Sequence, residues 1–183
     1  MAILILGDLH IPGRAKEINP IIREHLERRK SDYEVILCTG DLTSTTALEY
    51  ITTLGVVKAV RGNMDHLELP EYIVENIHGV EIGLIHGDQV YPRGDPNLLS
   101  KIARGLKVRI LVSGHTHSSF SLECNQIILL NPGSITGAWG GGDYSGIPEF
   151  MELQFNSDKS LTVILNKLLQ DKIVSSSCNF KII

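Results

Sequence analysis

The chain has 183 residues, a length that suits one domain whose core is stable without disulfides or structural zinc. Hydrophobic residues make up 43% and charged residues 21%, which excludes a disordered or fibrous protein. The net charge of −4 gives no electrostatic reason to expect binding to nucleic acid or to an anionic membrane surface.

Cysteine spacing and hydropathy indicate the cellular compartment of the protein. The three cysteines are an odd number whose spacing fits neither a zinc ribbon nor a disulfide framework, which predicts reduced thiols. The apolar run at residues 1–6 lacks a basic segment before it, so it is not a signal peptide, and no apolar stretch is long enough to span a bilayer. We predict a cytoplasmic protein without membrane insertion, which could associate with membranes peripherally through partner proteins.

Strand-like and helix-like periods alternate over the first two-thirds of the chain. The pattern predicts a strand at 2–6, a helix at 18–29, a strand at 35–38, a helix at 45–54 capped by Ser44 or Thr45, a strand at 56–60, a hairpin of 72–77 with 80–85, a helix at 97–104 and a strand at 110–112.

Beyond residue 117 the pattern changes to consecutive strands. They are predicted at 120–124, 126–130, 149–155, 161–165 and 172–176, with a hairpin turn at 158–160. Residues 137–146 are predicted to form a glycine-rich surface loop without a nucleotide role, because it contains no GxGxxG fingerprint or Walker lysine. An alternating half followed by antiparallel strands predicts an α/β fold of two packed sheets with helices outside, in a single domain over 1–183.

Five strand-like runs each end in an Asp, His or Asn that stands beside a glycine. The blocks are Gly7-Asp8-Leu9-His10, Gly40-Asp41, Gly62-Asn63, His86-Gly87-Asp88 and Gly114-His115-Thr116-His117. Ligands of α/β sheets bind at the carboxyl ends of the strands, so we expect these side chains to converge. One such residue alone is more often a turn or cap residue, but five blocks in order favour a metal site.

Oxygen and imidazole ligands without a thiolate favour Mn, Fe or Zn. The expected ligands of two divalent metal ions are Asp8, His10, Asp41, Asn63, His86, His115 and His117. Asp41 is the natural bridge, because its two oxygens can bind two cations about 3.5 to 4 Å apart. Asp8, His10 and His117 would complete one site, and Asn63, His86 and His115 the other. A hydroxide held between the metals would attack a phosphoester in line.

The five blocks match, in order, the signature of the calcineurin-like metallophosphoesterases, which the chain resembles. It is most similar to the branch that contains the small phosphoesterase-fold subunit of the retromer trafficking complex and its prokaryotic relatives. The similar stretches are residues 7–12, 36–40, 82–95, 131–134 and 136–138. The resemblance implies a four-layer α/β/β/α sandwich of two mixed sheets flanked by helices.

The comparison with this family indicates two alternative functions, a phosphoesterase and a scaffold subunit. Eukaryotic retromer subunits commonly carry Asn in place of the bridging Asp and Asp in place of the metal-binding Asn, whereas this chain keeps Asp41 and Asn63. The complete ligand set favours a phosphoesterase, most plausibly for phosphodiesters, with catalytic roles for Asp41, Asn63 and His115. The alternative is a scaffold subunit of a retromer-type complex that docks its metal-side loops on an α-solenoid partner.

One departure concerns proton transfer to the leaving group. Active members of the broad family usually have a His directly after the metal-binding Asn, and this chain has Met64 there. Loss of a general acid typically lowers the rate by about 10²- to 10⁴-fold, least for activated aryl phosphodiesters. His66 and Asp88 are candidates to replace it.

Three arginines and one tryptophan are candidates for binding roles. Arg14, Arg61 and Arg93 flank the blocks and could hold a substrate phosphate, although surface arginines are common. Trp139 could anchor a partner, but the pattern favours packing over the core. The remaining histidines are not expected to be ligands: His25 should be solvated on the polar side of its helix and His78 should lie in a hairpin turn.

Overall fold

The computed structural model describes residues 1–141 and 146–182. The helices are α1 (Pro20–Arg29), α2 (Thr45–Thr52) and α3 (Pro96–Leu106), with a short 3₁₀ turn at Lys30–Asp32. The strands are β1 (Ala2–Leu6), β2 (Tyr33–Cys38), β3 (Val57–Ala59), β4 (Tyr72–Ile77), β5 (Val80–Ile85), β6 (Ile110–Val112), β7 (Phe120–Cys124), β8 (Ile127–Asn131), β9 (Glu149–Phe155), β10 (Ser160–Leu169) and β11 (Lys172–Lys181).

The strands form two mixed sheets. The first sheet has the order β11-β10-β9-β1-β2-β3, in which β1, β2 and β3 are parallel and the other neighbours are antiparallel. The second sheet has the order β4-β5-β6-β8-β7, with a parallel centre of β5, β6 and β8. The parallel centres bring the carboxyl ends of β1, β2, β3, β5 and β6 to one edge of the fold.

Alternation along β1 shows how the layers are assembled. Leu4 and Leu6 pack with α1 and α2 on the outer face of the first sheet, whereas Ile3 and Ile5 pack between the two sheets. Helix α3 covers the outer face of the second sheet through Leu99 and its neighbours. All five of these side chains are buried, and the layer order α/β/β/α confirms the predicted four-layer sandwich.

The helix starts follow from their sequences. Asn19, Ser44 and Asp95 cap α1, α2 and α3, and their side chains accept hydrogen bonds from backbone N–H groups of the first turn at 2.9, 3.2 and 2.9 Å. Pro20 and Pro96 occupy the first helical turn, where a missing N–H is tolerated. Of the two caps predicted for α2, Ser44 is the one that forms.

The two last strands are longer than predicted. β10 and β11 each have ten residues and pair over their whole length, and the tight turn between β9 and β10 at Asp158–Ser160 forms as predicted. The three cysteines are free thiols. Residues 142–145 of the predicted glycine-rich loop lie outside the described residues. Within the described chain, no helix combines the length and hydropathy needed to cross a membrane.

A buried polar cluster lies between α1 and the first sheet. Glu152 of β9 is 1% exposed, and it accepts hydrogen bonds from Tyr33 Oη at 2.6 Å and Arg29 Nη1 at 2.9 Å. His25 Nε2 lies 3.9 Å from the same carboxylate, so the prediction that His25 is solvated was wrong. We call these four residues the Glu152 cluster. His78, by contrast, is exposed at the β4–β5 turn as predicted, where it contacts Glu34 at 2.8 Å.

Candidate metal centre

The seven predicted ligands all follow strands that end at the same edge. Asp8 and His10 follow β1, Asp41 follows β2, Asn63 follows β3, His86 follows β5, and His115 and His117 follow β6. Five of the seven adopt a left-handed backbone conformation, with φ between 50° and 67°; they are Asp8, His10, Asp41, His115 and His117. Non-glycine residues rarely take this conformation, and it is concentrated at functional sites.

The glycines of the blocks allow the strand ends to approach one another. A Cβ on Gly7 or Gly114 would overlap the Thr39 side chain, which lies between them at the end of β2. A Cβ on Gly62 would overlap the Asp41 carboxylate. A glycine therefore stands beside the polar residues because any larger residue would separate the loops.

Four of the predicted ligands form a tight group, which we call the metal-edge cluster: Asp8, His10, Asp41 and His117. His10 Nε2 lies 3.1 Å from His117 Nε2 and 3.3 Å from Asp41 Oδ2. His117 Nε2 lies 3.4 Å from Asp8 Oδ1. Ligand atoms about 2.0 to 2.2 Å from a common metal ion lie about 3.0 to 3.5 Å from one another, so these distances fit a bound cation.

Proton counting supports the same interpretation. His117 Nδ1 donates to the Ala138 carbonyl at 2.7 Å, which leaves Nε2 of the neutral ring as an acceptor. Asp8 Oδ1 is buried and has no hydrogen-bond partner. His10 can donate at most one N–H to the three acceptors around it, on Asp8, Asp41 and His117. The donor deficit is what a divalent cation would satisfy.

A second group surrounds the other side of Asp41. His86 Nε2 lies 3.0 Å from Asn63 Oδ1, 3.2 Å from His115 Nδ1 and 3.5 Å from Asp41 Oδ2. His86 Nδ1 donates to the Thr39 carbonyl at 2.8 Å, so Nε2 of the neutral ring is again an acceptor. Asp41 Oδ2 contacts histidines of both groups, a position that fits the predicted bridge.

Burial dominates the electrostatics of the metal edge. It raises the pKa of Asp8 from 3.8 to about 7 and also raises the pKa of Asp41. Burial lowers the pKa of His10 to about 3 and of His115 to about 4, and it lowers the pKa of His117 as well. These three imidazoles are therefore neutral near pH 7, the form that binds metal ions.

Asp65 holds two of the loops together, a role that sequence reasoning missed. It is 9% exposed, and its two carboxylate oxygens accept hydrogen bonds from the backbone N–H groups of Asp41, Thr43 and Gly62, each at 2.8 Å. It thereby fixes the loop that carries Asp41 against the loop that carries Asn63. The only sequence signal was an Asp two residues after Asn63.

The end of β8 and the residues that follow it form hydrogen bonds to the loops of the metal edge. Asn131 Nδ2 donates to the Gly114 carbonyl at 2.8 Å, and Ser134 Oγ donates to the Asp8 carbonyl at 2.7 Å. Thr136 Oγ1 donates to the Leu9 carbonyl at 2.9 Å. This segment, singled out in the sequence by resemblance alone, therefore braces the loops that carry Asp8 and His115.

Residues 138–140, which we call the strap, lie against His117. The Ala138 carbonyl accepts from its ring, and a Cβ on Gly140 would lie 2.8 Å from its Cγ. Arg14 Nη1 donates to the Trp139 carbonyl at 2.9 Å, and Arg93 Nη1 donates to the Gly140 carbonyl at 2.7 Å. Trp139 is 56% exposed, so the prediction that it packs over the core was wrong.

A cleft of about 410 Å³ opens beside Asn63, and two of the other candidate residues line it. Arg61 and Asp88 line it together with Glu71, to which Arg61 Nη2 donates at 2.9 Å. Met64 is 42% exposed, and its backbone N–H donates to Asp41 Oδ1 at 2.8 Å. His66 is exposed and does not line this cleft. Asp88 is thus the better placed of the two candidates to replace a general acid.

Sequence comparison identifies the family. The calcineurin-like phosphoesterase superfamily domain matches residues 1–150. The chain belongs to the calcineurin-like phosphoesterase superfamily. It is 40% identical over 136 residues to a probable metallophosphoesterase of Methanocaldococcus jannaschii, covering 74% of this chain and 69% of the relative. A probable metallophosphoesterase of Methanothermobacter thermautotrophicus is 42% identical over 139 residues, covering 74% of this chain and 78% of the relative.

Solved structures of Vps29 are similar over the whole chain. A single mutant of Vps29 from Entamoeba histolytica is 35% identical with a TM-score of 0.91, covering 99% of this chain and 100% of that one. Vps29 of Cryptosporidium parvum is 32% identical with a TM-score of 0.92, covering 98% of this chain and 97% of that one. Wild-type Vps29 of E. histolytica complexed with zinc is 34% identical with a TM-score of 0.87, covering 98% of this chain and 99% of that one. Members of this superfamily generally use divalent metal ions, and the metal-edge cluster fits such an ion.

Proposed function

We propose that the protein is a metal-dependent phosphoesterase that hydrolyses phosphodiesters. The ligands would be Asp8, His10 and His117 for one divalent ion, and Asn63, His86 and His115 for another, with Asp41 between them. The observation that carries the proposal is the donor deficit of the metal-edge cluster, whose ligand atoms lie 3.1 to 3.4 Å apart and leave buried Asp8 Oδ1 without a hydrogen-bond partner. Mn, Zn and Fe all suit this mixture of carboxylate and imidazole.

The residues around the ligands have separate tasks. The backbone carbonyls of Thr39 and Ala138 accept from Nδ1 of His86 and His117, which fixes each ring with Nε2 directed at the site. Bound divalent ions would neutralise phosphoryl oxygens and would lower the pKa of a bound water molecule to about 7. Asp41, Asn63 and His115 border the position between the two groups, where we place the reacting phosphate.

Met64 affects the choice of substrate. It occupies the position where other members carry a proton-donating His, and its thioether cannot transfer a proton. Esters with good leaving groups need no such help, so aryl phosphodiesters are the expected model substrates. Asp88, which lines the adjoining cleft, is the residue we assign to proton transfer for natural substrates.

The test combines metal analysis with an assay. Purified protein is expected to contain Mn, Zn or Fe and to hydrolyse bis(p-nitrophenyl) phosphate with added Mn²⁺. Asp41→Asn and Asn63→Ala should each lower kcat at least a hundredfold, whereas Asp171→Asn in the exposed β10–β11 turn should not change it. A metal-loaded protein without turnover of any phosphodiester or phosphomonoester would refute the proposal.

A second candidate function is a scaffold role on an α-solenoid partner. The whole-chain similarity to Vps29 favours it, as do three large apolar side chains exposed on the loops of the metal edge: Met64 at 42%, Tyr91 at 87% and Trp139 at 56%. A partner of this kind should co-purify with the protein. Binding should fall in Tyr91→Ser and Trp139→Ser but persist in Asp41→Asn and in the control Tyr72→Ser, which changes a 56% exposed tyrosine of β4.

A further inference from the structure

Two arginines at the metal edge differ from most others in the chain. Arg23, Arg28, Arg29, Arg61 and Arg109 each form an ion pair with a carboxylate. Within residues 1–141 and 146–182, Arg14 and Arg93 lie within 4.0 Å of no carboxylate. Instead they donate to the carbonyls of two consecutive residues, Trp139 and Gly140, which brings two positive charges to one place.

The strap fixes these charges relative to the metal edge. Trp139 and Gly140 accept from the arginines, and Ala138 and Gly140 contact the His117 ring, through the Ala138 carbonyl and the close approach of Gly140. Arg14 reaches the strap from the loop after β1, and Arg93 reaches it from the loop after β5. The two guanidinium groups are thus held at adjacent carbonyls of the strap, beside His117.

We propose that Arg14 and Arg93 form a phosphate-binding pair that holds the non-bridging oxygens of the substrate against the metal edge. The inference rests on the proposed function, because it takes the reacting group to be a phosphate. Each guanidinium has five N–H donors, and the strap uses an Nη1 group of each, so donors remain for an anion. Arg binds phosphate oxygens in a fixed fork geometry, which suits two arginines that approach from different loops.

The structure also distinguishes this pair from Arg61, the third arginine considered in the sequence. Arg61 lines the cleft beside Asn63, but Glu71 neutralises it at 2.9 Å. An anion would have to compete with that carboxylate. We therefore assign phosphate binding to Arg14 and Arg93 and leave Arg61 outside the pair.

The test measures binding of inorganic phosphate to the Mn-loaded protein by isothermal titration calorimetry. Arg14→Gln and Arg93→Gln should each weaken phosphate affinity about tenfold, and the double variant more, with unchanged metal content. Arg14→Lys should restore part of the loss, because it keeps the charge without the fork. The matched control is Arg104→Gln. Among the described residues Arg104 also forms no ion pair and donates to a carbonyl, that of Asn125, and it belongs to α3, which covers the outer face of the second sheet.

The outcomes separate this inference from the proposed function. Unchanged phosphate affinity in both Gln variants would overturn the pair, even if the protein hydrolyses phosphodiesters. A loss of bound metal in these variants would also overturn it, because the arginines would then act only by holding the strap. If phosphate affinity depends on both arginines but the protein hydrolyses no phosphoester, the result would support the pair and refute the proposed function. In an active enzyme, KM for bis(p-nitrophenyl) phosphate should rise in both variants by the same factor as the phosphate dissociation constant.

Discussion

Two polar clusters that are buried among residues 1–141 and 146–182 differ in how their hydrogen bonds are satisfied. In the Glu152 cluster a carboxylate meets donors, from Tyr33 at 2.6 Å and Arg29 at 2.9 Å. In the metal-edge cluster, ligand atoms of two histidines and two carboxylates lie 3.1 to 3.4 Å apart, and His10 can supply only one N–H among them. The Glu152 carboxylate finds its donors within the protein, whereas the metal-edge cluster has fewer donors than acceptors. The difference separates a cluster that stabilises the fold from one that is arranged for a ligand.

The pKa directions of the two carboxylates agree with this difference. Burial alone would raise the pKa of Glu152, but its contacts with His25, Tyr33 and Arg29 outweigh burial and hold the pKa below its ordinary value. Asp8 is also buried, and its pKa is raised to about 7 because burial outweighs nearby His86 and the hydrogen bond from the His115 N–H. The same residue class thus titrates in opposite directions according to whether the protein supplies the partners.

The largest expected effect is stabilisation by metal. At about 1,000 times its dissociation constant, Mn²⁺ should stabilise the fold by about 4 kcal/mol, and EDTA should reverse this. Thermal unfolding with and without metal measures the effect. The increment should persist in Glu152→Gln and vanish in Asp41→Asn. An equal increment in Asp41→Asn would mean that the metal binds elsewhere, and the contrast between the clusters would fail.

Next in size is the loss of the Glu152 carboxylate. Glu152→Gln should lower the free energy of unfolding by about 2 to 3 kcal/mol at pH 7, because Arg29 and Tyr33 lose a charged acceptor. Urea unfolding measures it, and Glu24→Gln is the control, since the exposed pair of Glu24 with Arg28 should contribute under about 1 kcal/mol.

The same variant has a pH signature. Because the folded pKa of Glu152 is depressed, its contribution is present above the unfolded value of about 4.5 and is lost as the pH falls through the folded value. The difference between wild type and Glu152→Gln should therefore shrink below about pH 4. A difference that stays constant down to pH 3 would show that the carboxylate charge does not stabilise the fold.

A smaller effect is expected at Asp65. Asp65→Asn replaces one accepting oxygen by an NH₂ group that faces backbone N–H donors, so the loops of Asp41 and Asn63 should separate. Outer-shell changes of this kind typically weaken metal affinity by about 10- to 100-fold. Competition with a fluorescent chelator measures the affinity. Asp158→Asn, which alters an Asp that accepts from Ser160 in a distant turn, should leave it unchanged.

The smallest effect is expected in the strap. Gly140→Ala should push the strap away from the His117 ring, which the new methyl group would otherwise overlap at 2.8 Å. Metal affinity should fall by less than about tenfold, as for a mild outer-shell change. Gly105→Ala in α3, where a Cβ meets nothing within 4 Å, is the control and should not change it. Unaltered affinity in Gly140→Ala would show that the strap does not orient His117.

The sequence predicted the fold well where side-chain periodicity was strong. The apolar run of β1 and the polar residues at the strand ends were sufficient to place the metal edge, because strand ends determine where those side chains lie. The second half of β11 was missed because residues 175–177 are three consecutive serines that show no apolar alternation. An edge strand exposes most of its side chains, so the pattern there carries little information.

The parts of the site that could not be predicted depend on contacts distant in sequence. Asp65 accepts from a residue 24 positions earlier, and Ser134 donates to one 126 positions earlier. Nothing local in either stretch indicates these partners. Trp139 and His25 were placed wrongly for the same reason, since the strap and the position of Glu152 beneath α1 are tertiary features.

The bridging position of Asp41 has a consequence for how such a site can be lost. An asparagine there tolerates the same left-handed backbone, and its Oδ1 can still accept from the Met64 N–H. Its amide NH₂ would stand 3.3 Å from His10 Nε2 and 3.5 Å from His86 Nε2, where it offers hydrogens to both rings. Exchanging a single oxygen for nitrogen would remove the bridging carboxylate and supply part of the donor deficit from within the protein. Loss of metal binding by this route would thus leave the fold intact.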